Sequence, residues 1–458
     1  MSDIANTLKN AKKIHFIGIG GSGMCPLAEI LHSRGYNLQG SDNNESSIVE
    51  RIKKLGIPVF MGHSADNLGD ADMLVYSAAI SEDNPELAAA RQRGIPTFQR
   101  AELFGEISKQ YKNCIGICGT HGKTTVTSMT VQVMLTAGLD PSAVIGGKLP
   151  LTDSYGRVGK TENFVCEACE YKDTFLHLAP DVAVILNVDE DHLEYFKTMD
   201  NLIASFHKFA VLATKAVIYN GDDENTLKAV KGVEGKELIT FGFSPKNDYY
   251  AENITVHNGA FDSFTVMHKG EKLGEISLSI PGRHNVLNAL ASIAAAMYSG
   301  ADFKACAKGI EEFHGAGRRF EKLGTYKGID FIDDYAHHPA ELKVTLEAAM
   351  KMGYNTVWAV FQPFTYSRTQ MHLEEFAEVL QIPDRCVMTE IMGGREKNTY
   401  GITTAMLSEK IPNSVWFPGF EGVCDYVLKN AREGDLVLTM GCGDIYKAAH
   451  IMINELKK

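Results

Sequence analysis

The stretch CIGICGTHGKTTVTSMTVQVMLTAG, residues 114–138, decides the fold. Its opening is a short apolar run, the pattern of a strand buried on both faces. Its latter part sets Val126, Met129, Val133 and Ala137 on one helical face and stops at Gly138, a residue suited to the left-handed position after a helix. Between them stands Gly119-Thr120-His121-Gly122-Lys123-Thr124-Thr125. A buried strand entering a helix through glycines, a lysine and hydroxyls has the plan of a P-loop. Backbone N–H groups form a nest for phosphate oxygens, Lys123 adds a point charge, and Thr124 or Thr125 is available to magnesium. The common spacing places four residues between the glycines. Here only Thr120 and His121 separate Gly119 from Gly122, a shortened variant.

Upstream, an apolar run over 14–18 predicts a strand, and Met24, Leu27, Ala28 and Leu31 recur at helical spacing before Gly35. Gly18-Ile19-Gly20-Gly21-Ser22-Gly23 joins them as a G-x-G-x-x-G turn, with Asp42 following the next strand at the distance such a fingerprint uses. The backbone approaches a diphosphate closely at such a turn, and the helix N-terminus supplies positive potential. A turn of this kind does not by itself distinguish a dinucleotide from a nucleotide sugar. Gly20, Gly21, Ser22, Gly23 and Asp42 are the candidate binding residues. A strand over 72–77 and a helix over 85–94 continue a parallel sheet whose pattern ends near Ser108.

Downstream of the P-loop, buried strands are expected over 164–169 and 182–188. Glu167 lies on the first, and Asp189, Asp191 and His192 close the second, so acids and a histidine gather at one sheet edge. Oxygen ligands beside a triphosphate suggest Mg²⁺. Residues 249–280 alternate in a shorter antiparallel style with turns at Asn258-Gly259 and Lys269-Gly270, which makes the middle of the chain a mixed sheet. After Gly324, strands over 331–334, 356–361, 386–390 and 436–439 alternate with helices over 339–352 and 374–380, before a final helix. The expectation is an α/β protein of three domains: a Rossmann-like domain over 1–108, a central P-loop ATPase domain with a mixed sheet over 109–322, and a Rossmann-like α/β domain over 323–458.

Composition agrees with a globular protein of several domains. The chain has 458 residues, 45% hydrophobic and 22% charged. With 57 acidic against 45 basic residues its formal charge is -12, which argues against a nonspecific grip on nucleic acid or on an anionic membrane. Any anionic ligand must be captured locally. The start lacks a basic region followed by an apolar run, and no stretch reaches the length of a membrane span. Nine scattered cysteines read as reduced thiols of a cytoplasmic protein, and the close pair Cys166 and Cys169 reads as ordinary core thiols.

Taken together these residues resemble the Mur ligase family, ATP-dependent amide-forming enzymes with an N-terminal UDP-substrate domain, a central ATPase domain and a C-terminal domain. GTHGKTT, residues 119–125, is similar to its central signature. GRHNVLNALA, residues 282–291, is similar to its adenine-side motif, and GRRF, residues 317–320, to its arginine segment before the last domain. GIGGSGM at 18–24, DDYAHHP at 333–339, YSRT at 366–369 and GCGD at 441–444 are close to the pattern of the members that add L-alanine to UDP-N-acetylmuramate. Two departures stand out: Phe364-Thr365 where those members often have His-Arg, and ACEYK after Glu167 where Ala-Asp-Glu-Ser-Asp is common.

The resemblance implies a cytoplasmic enzyme of peptidoglycan precursor synthesis, monomer or homodimer, that uses ATP and Mg²⁺ to turn the carboxylate of UDP-N-acetylmuramate into an acyl phosphate open to attack by L-alanine. It implies that Lys123 and Arg319 stabilise the transferring phosphoryl group, that Thr124 and Glu167 hold one Mg²⁺, and that His192 helps a second. Gly119, Thr120, His121, Gly122, Thr124, Thr125, His284, Asn285, Asn288 and Asp334 would serve ATP. Tyr335, His337 and Arg368 would serve the substrates, His337 also in catalysis and Arg368 on the amino acid's carboxylate. A ligase adding a tripeptide or another amino acid to the same sugar nucleotide is the nearest alternative. A nicotinamide-dependent dehydrogenase, suggested by the first glycine turn, and a nonenzymatic nucleotide sensor are alternatives of other classes.

Overall fold

The computed structural model describes residues 3–257, 259–394 and 396–458. It divides into two compact units, Met1–Asn253 with Phe264–Ile276 and Leu287–Phe313, and Ile254–Ser263 with Ser277–Val286 and His314–Lys458. Three sheets run through them, as the alternating pattern of strand and helix predicts. Asn258, half of one expected hairpin turn, lies outside the described residues. The other turn forms at Lys269-Gly270, both with positive φ.

The first sheet is parallel, in the order Val59–Met61, Leu38–Asp42, Ile14–Ile17, Met73–Tyr76, Thr97–Gln99. Ile14–Ile17 is fully buried and has neighbours from both directions of the chain, so the glycine turn that follows it opens at the point where strand order reverses. Ligands settle at that point in open α/β sheets. Helix Arg100–Ser108 then leaves the edge strand. Its start is fixed by Glu102, whose carboxylate accepts the Gln99 N–H at 2.7 Å in a capping box. Its Leu103, Phe104 and Ile107 are buried in one apolar cluster with Phe164 of the next sheet, and Tyr111 stacks on Phe164 at 4.6 Å between ring centroids. The first two sheets therefore share one core.

The second sheet has the order Glu271–Ser277, Phe261–His268, Tyr249–His257, Glu237–Gly242, Ala216–Asn220, Val182–Ile185, Asn113–Cys118, Asn163–Glu167, Ser142–Leu149, Ser154–Arg157. Asn113–Cys118 pairs in parallel with Val182–Ile185 on one side and Asn163–Glu167 on the other. The P-loop thus leaves the sheet at a second reversal of strand order and enters the buried helix Lys123–Thr136. The third sheet, in the second unit, has the order Glu321–Tyr326, Ile329–Asp334, Leu436–Met440, Val357–Phe361, Arg385–Thr389, Ser414–Phe417. Its first pair is antiparallel and the rest are parallel. Among the described residues no helix is long and apolar enough to cross a membrane, and Cys166 is a buried core thiol.

Candidate active site

The P-loop is held shut by its own surroundings. Gly119 and Gly122 take φ of 146° and 86°, and a Cβ on them would stand 2.9 Å from Leu186 Cβ and 2.8 Å from Asn288 Oδ1. Only glycine suits both the angles and the space. Asn187, beyond the neighbouring strand, accepts the His121 N–H at 2.8 Å and donates to the His121 carbonyl at 3.0 Å. Thr120 donates its N–H to the Asn187 carbonyl at 3.1 Å, and its hydroxyl accepts the Asp189 N–H at 2.8 Å. The loop is laced to the strand ends on both sides.

Lys123 points back over this loop. Its ammonium donates to the Gly119 and Thr120 carbonyls and forms an ion pair with Glu170 at 2.9 Å. Burial pushes the lysine's pKa down, but Glu170 outweighs it and the value stands above the ordinary lysine range. Thr124 donates its hydroxyl to Glu167 Oε1 at 3.1 Å, and the other Glu167 oxygen accepts the Gly146 N–H at 2.8 Å. Thr125 follows on the same helix, half-buried. Glu170 is almost wholly buried, and its Oε2 has no hydrogen-bond partner among the described residues. Glu170, Asp191 and His192 each offer an atom within 4.8 Å of the others. His192 sits in the left-handed region, φ 55°, against the ring of Tyr171 at 4.6 Å. A backbone held there by a non-glycine residue is typical of sites that aim a side chain.

The sequence separates Glu167 from Glu170 by two residues and names only the first; the structure gives the second to Lys123 and to the acid–histidine cluster. Asn187 is marked by no motif, and Glu170 lies in the ACEYK segment without being singled out there. The available signal was their position at strand ends flanking the P-loop. Asn288, on helix His284–Tyr298, packs against Gly122 and is 7% exposed.

In the first sheet, Asp42 closes the glycine turn from the side. Its Oδ2 accepts the Gly20 N–H at 2.9 Å and its Oδ1 the Asn44 N–H at 3.0 Å. Gly21 donates to the Gly18 carbonyl at 3.0 Å. These bonds shape the turn from within.

In the second unit, His284 packs its ring against Gly282, and the buried Asn285 donates to the Pro281 carbonyl at 2.7 Å. Arg318 and Arg319 part company. Arg318 forms an ion pair with Asp333 at 2.7 Å and donates to the Gly441 and Gly443 carbonyls, a structural clamp on the GCGD turn. Arg319 lies over the Tyr335 ring at 5.0 Å and donates its backbone N–H to the Ala316 carbonyl at 3.0 Å, while its guanidinium donates no hydrogen bond among the described residues. Asp334 accepts the N–H groups of Phe320 and Ala336 at 2.7 and 2.8 Å. Burial outweighs these bonds and the charge of Arg319, and raises the Asp334 pKa to about 6. His337 sets Nδ1 3.1 Å from the Tyr335 carbonyl and from Glu341. Arg368 lies on helix Tyr366–Met371, whose N-cap is Thr365, and its charge reaches the Cys442 thiol. Thr365, one of the two departures, thus has a local role: its hydroxyl accepts the Arg368 N–H at 3.3 Å.

Sequence models of three Mur ligase domains match the chain in order. The family's catalytic domain matches residues 13–112, the middle domain 117–296 and the glutamate ligase domain 318–443. The UDP-N-acetylmuramate--L-alanine ligase of Acetivibrio thermocellus is 44% identical over 451 residues, covering 97% of this chain and 96% of the relative. The chain belongs to the Mur ligase family. A second such ligase, from Caldanaerobacter subterraneus subsp. tengcongensis, is 43% identical, with 98% of this Mur ligase and 99% of the relative covered. The crystal structure of the UDP-N-acetylmuramate-alanine ligase of Thermotoga maritima superposes with a TM-score of 0.84 at 29% identity, covering 97% of this chain and 99% of that one. A murein peptide ligase from Psychrobacter arcticus has the same fold, TM-score 0.75 at 23% identity.

Proposed function

We propose that this Mur ligase joins L-alanine to the carboxylate of UDP-N-acetylmuramate, with ATP converting that carboxylate to an acyl phosphate, in cytoplasmic synthesis of peptidoglycan precursors. The observation that carries the proposal is identity of 42% to 44% over nearly the whole chain to relatives named for that reaction. The site is consistent with it. A carboxylate is a poor electrophile, so the phosphoryl group must first supply a leaving group. In this reading Lys123 neutralises charge on that group as it transfers, and the Gly119 to Thr125 nest holds the rest of the polyphosphate.

The donor set fits divalent cations: Thr124 and Glu167 form one oxygen pair, while Glu170, Asp191 and His192 each offer an atom within 4.8 Å of the others, and one oxygen of the buried Glu170 lacks a partner among the described residues. Mg²⁺ bound by these residues would neutralise the phosphate oxygens. Arg319, His284, Asn285, Asp334, Tyr335 and His337 keep the roles the resemblance gives them. Arg368, a planar fork of donors, receives the amino acid's carboxylate and leaves its amine free to attack the acyl phosphate through a tetrahedral intermediate. We take the enzyme to be a monomer or homodimer.

The test is phosphate release from ATP and Mg²⁺ with UDP-N-acetylmuramate, adding L-alanine, L-serine, glycine, D-glutamate or an alanine-led tripeptide separately, and mass spectrometry of the product. Release that requires L-alanine and yields an alanyl adduct supports the proposal. Turnover confined to the tripeptide moves the assignment to peptide ligation, and absence of turnover with every acceptor defeats it.

A further inference from the structure

One cation of the first unit has no part in the mechanism above. Arg100 opens helix Arg100–Ser108 at the far edge of the first sheet, yet its guanidinium reaches back beneath the glycine turn. A Cβ on Gly23 would stand 3.1 Å from Arg100 Nη1 and 3.4 Å from its Cζ. A side chain on Gly23 would crowd the guanidinium, and no positive φ calls for glycine there. The Phe104 ring, one turn along the same helix, lies 5.9 Å from the guanidinium carbon.

Among the described residues Arg100 donates no hydrogen bond and forms no ion pair, although it is only part-exposed. Glu167 reaches it only through its charge. Burial lowers its pKa from the ordinary arginine value, and an arginine nevertheless remains cationic. A half-buried guanidinium without an acceptor is costly. The turn above it is short of acceptors too. The N–H groups of Gly20 and Gly21 are engaged by Asp42 and Gly18, while those of Ser22 and Gly23 donate to no acceptor among the described residues. Two free backbone donors and one free guanidinium therefore sit together, in a chain whose net charge of -12 gives anions no general attraction.

We infer that Arg100 is a substrate-binding residue: with the Ser22 and Gly23 N–H groups it clasps the diphosphate of the nucleotide-sugar substrate. The inference rests on the proposed function for the identity of that substrate. It assigns the diphosphate to the latter half of the turn, Gly20 and Gly21 shaping the backbone from behind. It also gives helix Arg100–Ser108 a second task besides packing. The same helix that joins the cores of the first two sheets delivers the charge.

The test measures dissociation constants of UDP, UDP-N-acetylglucosamine and UDP-N-acetylmuramate by calorimetry on the full-length wild type, Arg100→Ala and Arg100→Lys, with affinity for an ATP analogue as the check on folding. Charge-assisted hydrogen bonds of this kind give an expected loss of roughly 10- to 100-fold in Arg100→Ala. That loss should be equal for all three ligands, because all carry the diphosphate, and partly restored in Arg100→Lys, with ATP affinity unchanged. Equal affinities in wild type and Arg100→Ala overturn the inference. Loss confined to UDP-N-acetylmuramate also overturns it, since the arginine would then read the sugar's carboxylate. If Arg100→Ala loses ATP affinity as well, Arg100→Lys decides: UDP affinity partly lost with ATP affinity intact supports the inference, and undiminished UDP affinity defeats it. A wild type that binds none of the three defeats the proposed function instead.

Discussion

Two glycine turns in this molecule leave a buried strand for a helix at a reversal of strand order, and they are built on opposite plans. In the P-loop the groups that shape the loop and its cation are already matched: Asn187 holds His121, Thr120 is bonded on both sides, and Lys123 is folded over its own loop onto Glu170. At the turn of Gly18 to Gly23, two backbone N–H groups and the Arg100 guanidinium stand without acceptors among the described residues. An anion that engages Lys123 must draw it from a carboxylate, whereas one that engages Arg100 meets a guanidinium with no carboxylate to give up. Closely similar local geometry thus serves exchange in one case and addition in the other.

The largest effect should come from the lysine itself. Lys123→Met leaves helix and loop intact but removes the charge on the transferring phosphoryl group, and we expect kcat to fall by about 10³-fold or more. Steady-state phosphate release checks it, and a fall below tenfold would mean that Lys123 is a structural tie. Next is Glu170→Gln. Removing one partner of a buried pair strands the other, at about 3 kcal/mol, so urea unfolding of the nucleotide-free protein should show that loss. With saturating MgATP the deficit should shrink, because phosphate takes over the lysine; an undiminished deficit would break the exchange picture.

The first sheet offers a test by acid. Glu86 is fully buried behind the Leu38–Asp42 strand, where burial would raise its pKa, but bonds from His15, Ser41 and Asn67 prevail and hold it at about 2, below the ordinary 4.5. A depressed carboxylate stabilises the fold above its unfolded pKa and loses that contribution as the pH falls through the folded value. Between pH 4.5 and 2 the wild type should lose about 2 kcal/mol more than Glu86→Gln. Parallel urea curves at pH 5 and pH 3 would show whether the gap closes. Smallest is Asp42→Ala, which frees the Gly20 N–H. UDP affinity should fall by about tenfold, the worth of one charged hydrogen bond, and ATP affinity should hold. Equal weakening of both would mean that the two turns are not independent.

Much of the fold was legible because its strands are buried on both faces. Asn113–Cys118, Val182–Ile185 and Leu436–Met440 read as plain apolar runs beside turn formers. Val59–Met61, Glu321–Tyr326 and Ser414–Phe417 did not, since edge strands half open to water carry neither a run nor a clean alternation. The hairpin of Ser142–Leu149 and Ser154–Arg157 was hidden likewise, its pairing broken by a shift between Val144 and Leu149. In the site, Lys123, Thr124 and Glu167 could be named because a short motif and its neighbouring strand hold them. Asn187, Glu170 and Arg100 could not. Each acts on a partner distant in the chain, and a lone Asn, Glu or Arg at a strand or helix end has a dozen ordinary uses.

The bond between Lys123 and Glu170 makes the loop a device for recognising coincidence. A free phosphate that drew the lysine away would leave a carboxylate almost fully out of water, its second oxygen already without a partner. The same carboxylate offers an oxygen within 4.8 Å of atoms of Asp191 and His192. A bare anion would relieve the lysine and strand the carboxylate, whereas a ligand carrying its own counter-ion would relieve both charges together.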